Sequence, residues 1–196
     1  MEPFPIAVFL SGGGTTLQNL VDRIAAGTLP VRIVQVISST ANAKGVERAK
    51  QAGLNVAIVE RKAFDTREAF SQKCFNIVRD SAAQLVVLGG YLQLLRIPED
   101  FRGRVINIHP ALLPAFGGKG MYGHHVHEAI VKAGVKVSGC TVHYVDDQYD
   151  HGEVIAQQSV PVEEGDTPET LAARVFQAEC ELYPEVIARL AMRKQP

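Results

Sequence analysis

The sequence predicts an α/β protein with a Rossmann-like open sheet, mostly parallel and flanked by helices. Two observations support this prediction. Short, continuous apolar runs, which are typical of strands buried on both faces, recur along the first part of the chain. Between them lie segments whose apolar residues are spaced as on one face of a helix. Strands that alternate with helices imply crossover connections, and such connections join parallel strands.

The first five strands are predicted from apolar runs at residues 6–10, 31–38, 55–59, 85–88 and 105–108. The helices between them are predicted at residues 17–24, 45–52 and 69–78. Two of these helices carry start signals. Thr15 is predicted to cap the first helix, with Gln18 completing a capping box. Asp65 is predicted to cap the third helix, with Glu68 as an acid in its first turn.

The pattern changes toward the C-terminus. Residues 137–145 and 154–162 form two longer runs rich in Val and Thr, which predict strands. Because the connector 146–153 has a length that suits a hairpin, one of these two strands is expected to run antiparallel. A long amphipathic helix at residues 168–193, with Pro168 just inside its start, is predicted to close the chain.

Composition and charge exclude several classes of function. The 20 Lys and Arg residues balance 21 Asp and Glu residues, so the formal charge of −1 offers no basic face for nucleic acid. No apolar run reaches the roughly 18 residues of a membrane span, and the N-terminus has no basic region of a signal peptide. The cysteines at 74, 140 and 180 lie far apart and predict free thiols, so a reducing, cytoplasmic location is expected.

A glycine-rich segment, which we term the glycine loop (residues 11–17, SGGGTTL), follows the first strand and opens the first helix. Its backbone can approach a ligand closely, and the helix N-terminus offers unpaired N–H groups and a partial positive charge. These features favour a bound phosphate over a tight turn that merely needs glycine. A P-loop would need a Lys here, and a dinucleotide fingerprint would need a glycine where Leu17 stands. A single phosphate is therefore expected.

Asn107 and His109 lie two residues apart at the end of the fifth predicted strand, so we expect them to project to the same side. Ligands of open α/β sheets bind beyond the carboxyl ends of the strands. Asp150, in the 146–153 connector, is a candidate to orient the imidazole and favour its charged form. An amide donor and an imidazole suit a carbonyl that is attacked by an amine. No nucleophile motif is present, which favours direct transfer without a covalent enzyme intermediate.

Three histidines, His124, His125 and His127, suggest a metal site, but no acid or Cys completes a recognised ligand set. We therefore expect no metal and an exposed helix start at this point. The loop before them, residues 110–123, is rich in Pro and Gly, as is typical of segments that bind ligands or move.

With these residues the chain resembles the phosphoribosylglycinamide formyltransferases of de novo purine synthesis, within the folate-dependent formyltransferases. The resemblance covers nearly the whole chain and rests on four segments, at residues 11–18, 64–68, 107–114 and 139–152. The signature around His109 is shared by several folate enzymes that transfer formyl groups, and the glycine loop narrows the choice to the glycinamide branch. The resemblance implies one formyltransferase domain over residues 1–196. Its N-terminal lobe (about 1–100) would bind phosphate, and its C-terminal lobe (about 101–196) would bind folate and carry catalysis.

The resemblance also implies where the ribonucleotide binds. Backbone groups of Gly14, Thr15 and Thr16 would hold the phosphate of glycinamide ribonucleotide, and Glu179 would touch its sugar hydroxyls. Three positions depart from the family pattern. Thr15 and Thr16 stand where Ser and Asn are usual, and Phe176 replaces a polar residue near the sugar.

For the formyl donor, 10-formyltetrahydrofolate, the resemblance implies a binding set of Arg67, Leu92, Gln93, Leu94, Leu95 and Asn107, in which Gln93 stands where Arg is common. It implies that Asn107 lies near the formyl group, that His109 is the proton donor and that Asp150 raises the pKa of His109. The amine would attack the formyl carbon directly, and a water relay would move the protons.

Three alternatives stay open from the sequence. A formyltetrahydrofolate hydrolase would use the same Asn, His and Asp residues with water as the acceptor, but would not need the glycine loop. A formyltransferase could act on another amino sugar phosphate. A non-catalytic sensor of a phosphorylated ligand would leave Asn107, His109 and Asp150 without a purpose. In each case we expect small-molecule ligands and a monomer or a weak homodimer.

Overall fold

A computed structural model describes residues 2–193 of the 196-residue chain. Its strands are β1 (Phe4–Leu10), β2 (Val31–Ser38), β3 (Val56–Ile58), β4 (Leu85–Leu88), β5 (Val105–His109), β6 (Val137–Tyr144) and β7 (Val154–Pro161). Its α-helices are α1 (Thr15–Ala25), α2 (Lys44–Gln51), α3 (Arg67–Asp80), α4 (His124–Ala133) and α5 (Pro168–Arg193). Two single 3₁₀ turns span Arg61–Ala63 and Glu99–Phe101. Every strand expected from the sequence is present.

The seven strands form one sheet in the order β3-β2-β1-β4-β5-β6-β7. Strands β1 to β5 are parallel to one another, and β6 runs antiparallel to both of its neighbours. The predicted open, mostly parallel sheet with a C-terminal hairpin and a long closing helix is confirmed. The order reverses between β1 and β4, and open α/β sheets bind ligands beside the carboxyl ends at such a switch point.

The sheet separates two apolar cores. Alternate residues of β1 point to opposite faces, so Ile6 and Val8 contribute to one core while Ala7 and Phe9 contribute to the other. The first core also contains buried residues of α1, α2, α4 and α5, and the second contains those of α3. Burial on both faces explains why these strands are continuously apolar instead of alternating.

The first helix does not begin as the sequence predicted. Gly14 is its N-cap, in a left-handed conformation (φ 69°), and no side chain caps it, so the predicted Thr15 capping box is wrong. A Cβ atom on Gly14 would lie 2.5 Å from Gly45 Cα of α2, so glycine is required by a tight backbone approach. The cap of α3 is also shifted by one residue, because Thr66 rather than Asp65 accepts the Ala69 N–H, at 3.1 Å.

Helix α5 runs for 26 residues although it contains Pro184. Proline has no N–H to donate, so the carbonyl of Cys180, four residues earlier, loses its helical partner. Two donors from α1 replace it: Asn19 Nδ2 lies 3.1 Å and Arg23 Nη2 lies 3.0 Å from that oxygen. The helix therefore continues because a neighbouring helix satisfies the exposed carbonyl. No helix within residues 2–193 is both long and apolar enough to span a membrane.

Candidate active site

A cavity of about 350 Å³ opens beyond the carboxyl ends of β4 and β5. It is lined by Gly90, Tyr91, Leu92, Asn107, Ile108, His109, Pro110, residues 118–123, Tyr149 and Asp150. All three residues predicted to carry catalysis, Asn107, His109 and Asp150, therefore face one space. The loop 110–123 contributes its second half to the wall. A broader depression of about 640 Å³, lined by Ile97, Arg102 and the 144–148 segment among others, contains none of these three residues.

His109 is held between two oxygen acceptors. Its Nε2 lies 2.9 Å from the Phe116 carbonyl oxygen, and its Nδ1 lies 3.4 Å from Asp150 Oδ2. A neutral imidazole carries only one N–H and cannot donate to both acceptors, whereas the imidazolium can. The contacts on this side chain therefore favour its protonated form.

Burial acts against that preference. His109 is only 3% exposed, and the loss of solvation lowers its pKa below the ordinary value, while Asp150 and the Phe116 carbonyl act in the opposite direction. Asp150 thus raises the pKa of His109 as the sequence suggested, but burial outweighs it. A proton held in this position is easily given up, which suits a group that must both take and release protons.

Asp150 itself is fixed from several sides. It adopts a left-handed backbone conformation (φ 51°), which is uncommon for a residue with a side chain, and its Oδ2 accepts the Gly118 N–H at 3.0 Å. Burial alone would raise its pKa, but the contacts with His143 and His109 and the Gly118 N–H bring the pKa below the usual range. The carboxylate is therefore ionised near neutral pH and bridges the connector to loop 110–123.

His143 is a further site residue that sequence reasoning did not single out. It is 2% exposed and lies opposite Asn107 in the β5–β6 ladder. Its Nε2 is 3.2 Å from Asn107 Nδ2 and 3.7 Å from Asp150 Oδ1. The sequence shows a His at position 143 within a predicted strand, but it does not show that this strand pairs with β5 and places the residue opposite Asn107. Only the antiparallel register reveals this.

Most of the residues predicted to bind the formyl donor lie beside the same space. Leu92 lines the main cavity. The next three residues, Gln93, Leu94 and Leu95, line a smaller cavity of about 60 Å³, whose wall also contains Asn107 and Asp150. Arg67 opens α3 and is not among the residues that line either cavity.

The glycine loop adjoins this cavity through backbone contacts. The Ser11 N–H donates to the Gly90 carbonyl at 3.1 Å, and the Leu92 N–H donates to Ser11 Oγ at 2.9 Å. Thr16 packs closely against Gly89, the residue before Gly90. A Cβ atom added to Gly89 would lie only 3.1 Å from Thr16 Cβ. Ser11 therefore joins the glycine loop directly to two residues of the cavity wall.

Of the other predicted ribonucleotide contacts, Gly14 is buried at the start of α1, while Thr15 is exposed beside it. Glu179 lies on α5, where burial raises its pKa to about 7. Its charge also contributes to the raised pKa of Cys140 on β6, after burial of that thiol. A carboxylate in so poorly solvated a position destabilises the protein unless a ligand donates hydrogen bonds to it.

The histidines at the start of α4 divide into two groups. His124 and His125 are exposed and lie near Glu128, at 3.3 and 3.2 Å. His127 is only 5% exposed, so the expectation of an exposed helix start is wrong for this residue, which packs inward because it lies on the face of α4 that carries Val126 and Ile130. Among residues 2–193, no group of three or more His, Cys, Asp or Glu side chains is arranged to hold a metal ion.

Comparison with known proteins shows the family. Residues 5–187 match the model of the formyl transferase family. The chain belongs to the formyl transferase family. This domain accounts for the seven-stranded sheet and for nearly all of the described residues.

Several relatives of this formyl transferase bear a more specific name. The chain is 37% identical over 188 residues to the chloroplastic phosphoribosylglycinamide formyltransferase of Arabidopsis thaliana, which covers 94% of this chain and 64% of that protein. It is 36% identical over 184 residues to the phosphoribosylglycinamide formyltransferase of Haemophilus influenzae, which covers 93% of this chain and 84% of that protein. It spans less than two thirds of the plant relative and 18% of the human trifunctional purine biosynthetic protein adenosine-3, to which it is 35% identical.

Solved structures agree with the fold. Glycinamide ribonucleotide transformylase 1 from Symbiobacterium toebii superimposes with a TM-score of 0.91 at 39% identity, covering 98% of this chain and 90% of that chain. Phosphoribosylglycinamide formyltransferase from Coxiella burnetii gives a TM-score of 0.91 at 37% identity, covering 98% of this chain and 89% of that chain. The predicted fold class and the predicted family are both confirmed.

Proposed function

We propose that this formyl transferase moves a formyl group from 10-formyltetrahydrofolate to the amine of glycinamide ribonucleotide, a step of de novo purine biosynthesis. One observation carries the proposal: the cavity that contains Asn107, His109 and Asp150 is hydrogen-bonded through its Gly90 wall to the glycine loop. This contact supports a single site in which a phosphate on that loop lies next to a formyl group beside Asn107. The names of the relatives support the same acceptor.

The chemical step is direct attack. The amine nitrogen adds to the formyl carbon, and the carbonyl π electrons move onto oxygen. Asn107 Nδ2–H donates to this oxyanion. The His109 imidazolium, stabilised by the ionised Asp150 at Nδ1, supplies a second donor when its Nε2–H turns from the Phe116 carbonyl to the oxyanion. The intermediate then collapses, the bond between the formyl carbon and N10 of the folate breaks, and the proton lost by the amine ends on N10. His109 is the proton donor, with water relaying the proton between the two nitrogens.

Binding follows the same division of the site. Backbone groups of Gly14, Thr15 and Thr16 hold the phosphate, and Glu179 accepts hydrogen bonds from the sugar hydroxyls. The folate lies along residues 92–95, with its formyl group at Asn107, and Arg67 at the start of α3 completes the binding set. A small-molecule pair fills the site without nucleic acid, membrane or metal.

The domain organisation and setting belong to the same proposal. Residues 1–196 form one domain with a phosphate-binding lobe (about 1–100) and a folate and catalytic lobe (about 101–196). Three cysteines without a disulfide suit a reducing, cytoplasmic setting. The protein acts as a monomer or a weak homodimer.

The test is an assay with purified protein, 10-formyltetrahydrofolate and candidate acceptors, followed by detection of the formylated product. We expect glycinamide ribonucleotide to accelerate folate turnover many-fold. Folate turnover that is indifferent to the ribonucleotide and yields formate would indicate a hydrolase. Formylation of a different amino sugar phosphate, but not of glycinamide ribonucleotide, would overturn the proposed acceptor. Binding without any turnover would indicate a sensor.

A further inference from the structure

Helix α2 donates hydrogen bonds to two carbonyl oxygens of the glycine loop. The Gly45 N–H at the start of α2 donates to the Gly12 carbonyl at 3.0 Å. One turn later, Arg48 Nε donates to the Gly13 carbonyl, also at 3.0 Å. Two successive carbonyls of the loop are therefore directed toward α2.

This orientation fixes the neighbouring N–H groups. In a trans peptide the C=O of one residue and the N–H of the next point in opposite directions. The N–H groups of Gly13 and Gly14 therefore point away from α2. Within residues 2–193, neither of them donates a hydrogen bond to a protein acceptor. Two unpaired donors beside the N-terminus of α1 are therefore available to an anion.

Arg48 is itself held in place from α1. Its Nη1 donates to Gln18 Oε1 at 3.2 Å, and Gln18 Nε2 donates in turn to Asp22 Oδ1 at 2.8 Å. The guanidinium is half-buried and spans α2, the glycine loop and α1. A guanidinium fixed at two of its three nitrogens keeps little rotamer freedom, so it holds the Gly13 carbonyl in one direction.

The charge of Arg48 is not balanced locally. In the part of the chain that the structure describes, no carboxylate lies within 4 Å of its guanidinium. Arg23 and Arg104, also half-buried, likewise donate to backbone carbonyls, whereas Arg174 contacts both Asp166 and Glu163. An unpaired positive charge beside two free N–H donors strengthens the potential that a phosphate would meet.

We propose that Arg48 is a positioning residue for the phosphate of the substrate. It turns the Gly13–Gly14 peptide so that its N–H faces the ligand, and it adds a positive charge behind the same peptide, on its carbonyl side. The ligand class is a sugar phosphate monoester. This inference rests on the proposed function, in which the glycine loop binds the ribonucleotide phosphate.

The test measures binding of ribose 5-phosphate, which carries the phosphate and lacks the reactive amine, by calorimetry and by ¹⁵N amide shifts. The variant is Arg48→Met, and the matched control is Lys50→Met, which removes an exposed positive charge from the same helix. Without Arg48 the Gly14 N–H is no longer aimed at the charged phosphate, and losing one hydrogen bond to a charged ligand corresponds to about a tenfold or larger loss of affinity. We therefore expect the Kd of Arg48→Met to rise about tenfold, with the Gly13 and Gly14 amide shifts reduced, and that of Lys50→Met to change less than about twofold.

Steady-state kinetics provide a second readout. Arg48→Met should raise the KM for the ribonucleotide about tenfold while kcat and the KM for folate stay within about twofold. If Arg48→Met fails to fold, Arg48→Lys replaces it, and a several-fold rise in Kd is expected because one ammonium cannot reproduce both hydrogen bonds. An unchanged Kd in folded Arg48→Met would overturn the role of Arg48 and leave the proposed function standing. An equal rise in the Kd of Lys50→Met would do the same. Absence of any ribose 5-phosphate binding to the unsubstituted protein would remove the phosphate site itself, and with it both proposals.

Discussion

Asn107 Nδ2 lies 3.2 Å from His143 Nε2, directly across the β5–β6 ladder. The other nitrogen of His143 lies 2.8 Å from the Tyr144 carbonyl, which can only accept a hydrogen bond. A neutral His143 therefore carries its proton on Nδ1 and leaves Nε2 as an acceptor, so the Asn107 amide must turn its NH₂ group toward it. One amide N–H is thereby fixed, and the second is left to donate to a substrate oxygen.

Replacing His143 should therefore disorient Asn107. We expect His143→Ala to lower kcat about ten- to hundredfold, because a donor to the oxyanion is lost, while the KM for the ribonucleotide changes little. The exposed His125→Ala is the matched control and should leave kcat unchanged. Equal losses in kcat and in ribonucleotide affinity would indicate general disruption of the site instead of a positioning role.

The proposed proton donor can be tested by His109→Ala. We expect kcat to fall about 10²- to 10⁴-fold, the range typical of general acid–base groups. Ribose 5-phosphate should still bind, since the glycine loop does not include this residue. Turnover within about threefold of the unsubstituted protein would contradict the assignment, provided that circular dichroism shows an intact fold.

The pH dependence should depend on Asp150. The pKa of His109 is lowered by burial and raised by Asp150, so Asp150→Asn removes a partner that favours the imidazolium. The pKa of His109 then falls further, and the protonated fraction is lost at lower pH. We expect the basic limb of the kcat profile to move to lower pH, together with a fall in maximal rate.

The matched control for Asp150→Asn is Asp80→Asn, an exposed carboxylate at the end of α3. Its pH–rate profile should superimpose on that of the unsubstituted protein. If the basic limb stays in place in Asp150→Asn, or moves equally in both variants, then Asp150 does not control the pKa of His109.

Glu179 should make stability depend on pH. Its folded-state pKa of about 7 lies above the ordinary value of 4.5, so the folded protein binds this proton more tightly than the unfolded chain. This contribution to stability is complete below pH 4.5 and is lost as pH rises toward 7, by up to about 3 kcal/mol. Glu179→Gln should therefore be more stable than the unsubstituted protein at pH 8 and similar at pH 4.5.

Urea unfolding at the two pH values tests this expectation, with Glu185→Gln as a control on the same helix, since Glu185 is exposed. The control should shift the free energy of unfolding equally at both pH values. A destabilised Glu179→Gln at pH 8 would show that the carboxylate has a stabilising partner. If Glu179 binds the sugar hydroxyls, the stabilised variant should also have a raised KM for the ribonucleotide.

Tyr183 ties α5 to the sheet just below the site. Its buried hydroxyl lies 3.0 Å from the Leu88 carbonyl, at the end of β4, and 3.1 Å from the Ile106 carbonyl of β5. Tyr183→Phe removes this hydroxyl while keeping the ring, and should lower the free energy of unfolding by about 1–3 kcal/mol. The exposed Tyr122→Phe should change it by less than about 0.5 kcal/mol. Equal stability of Tyr183→Phe and the unsubstituted protein would show that water replaces the hydroxyl.

Much of the fold was predictable because its signals are local. The apolar runs at 31–38 and 85–88 coincide with β2 and β4, and β4 is continuously apolar because it is buried on both faces. The long closing helix begins at Pro168 as expected. The pairing of Asn107 with His109 was equally local, because two residues at alternate positions of one strand share a face.

Other features depend on contacts between distant segments. The caps of α1 and α3 were misassigned, since the cap of α1 is decided by the close approach of Gly14 to Gly45 rather than by a side chain. The continuation of α5 through Pro184 depends on donors from α1, 157 and 161 residues away in sequence.

The sequence by itself determined the strand and helix content, the glycine loop and the Asn107–His109 pair, because each follows from the chemistry of neighbouring residues. The tertiary structure alone decided that His143 orients Asn107, that burial lowers the pKa of His109 against the effect of Asp150, and that Arg48 reaches the glycine loop. These last three depend on the register of an antiparallel pair, on exclusion of water and on the packing of one helix against a loop. None of them is encoded in the spacing of residues along the chain.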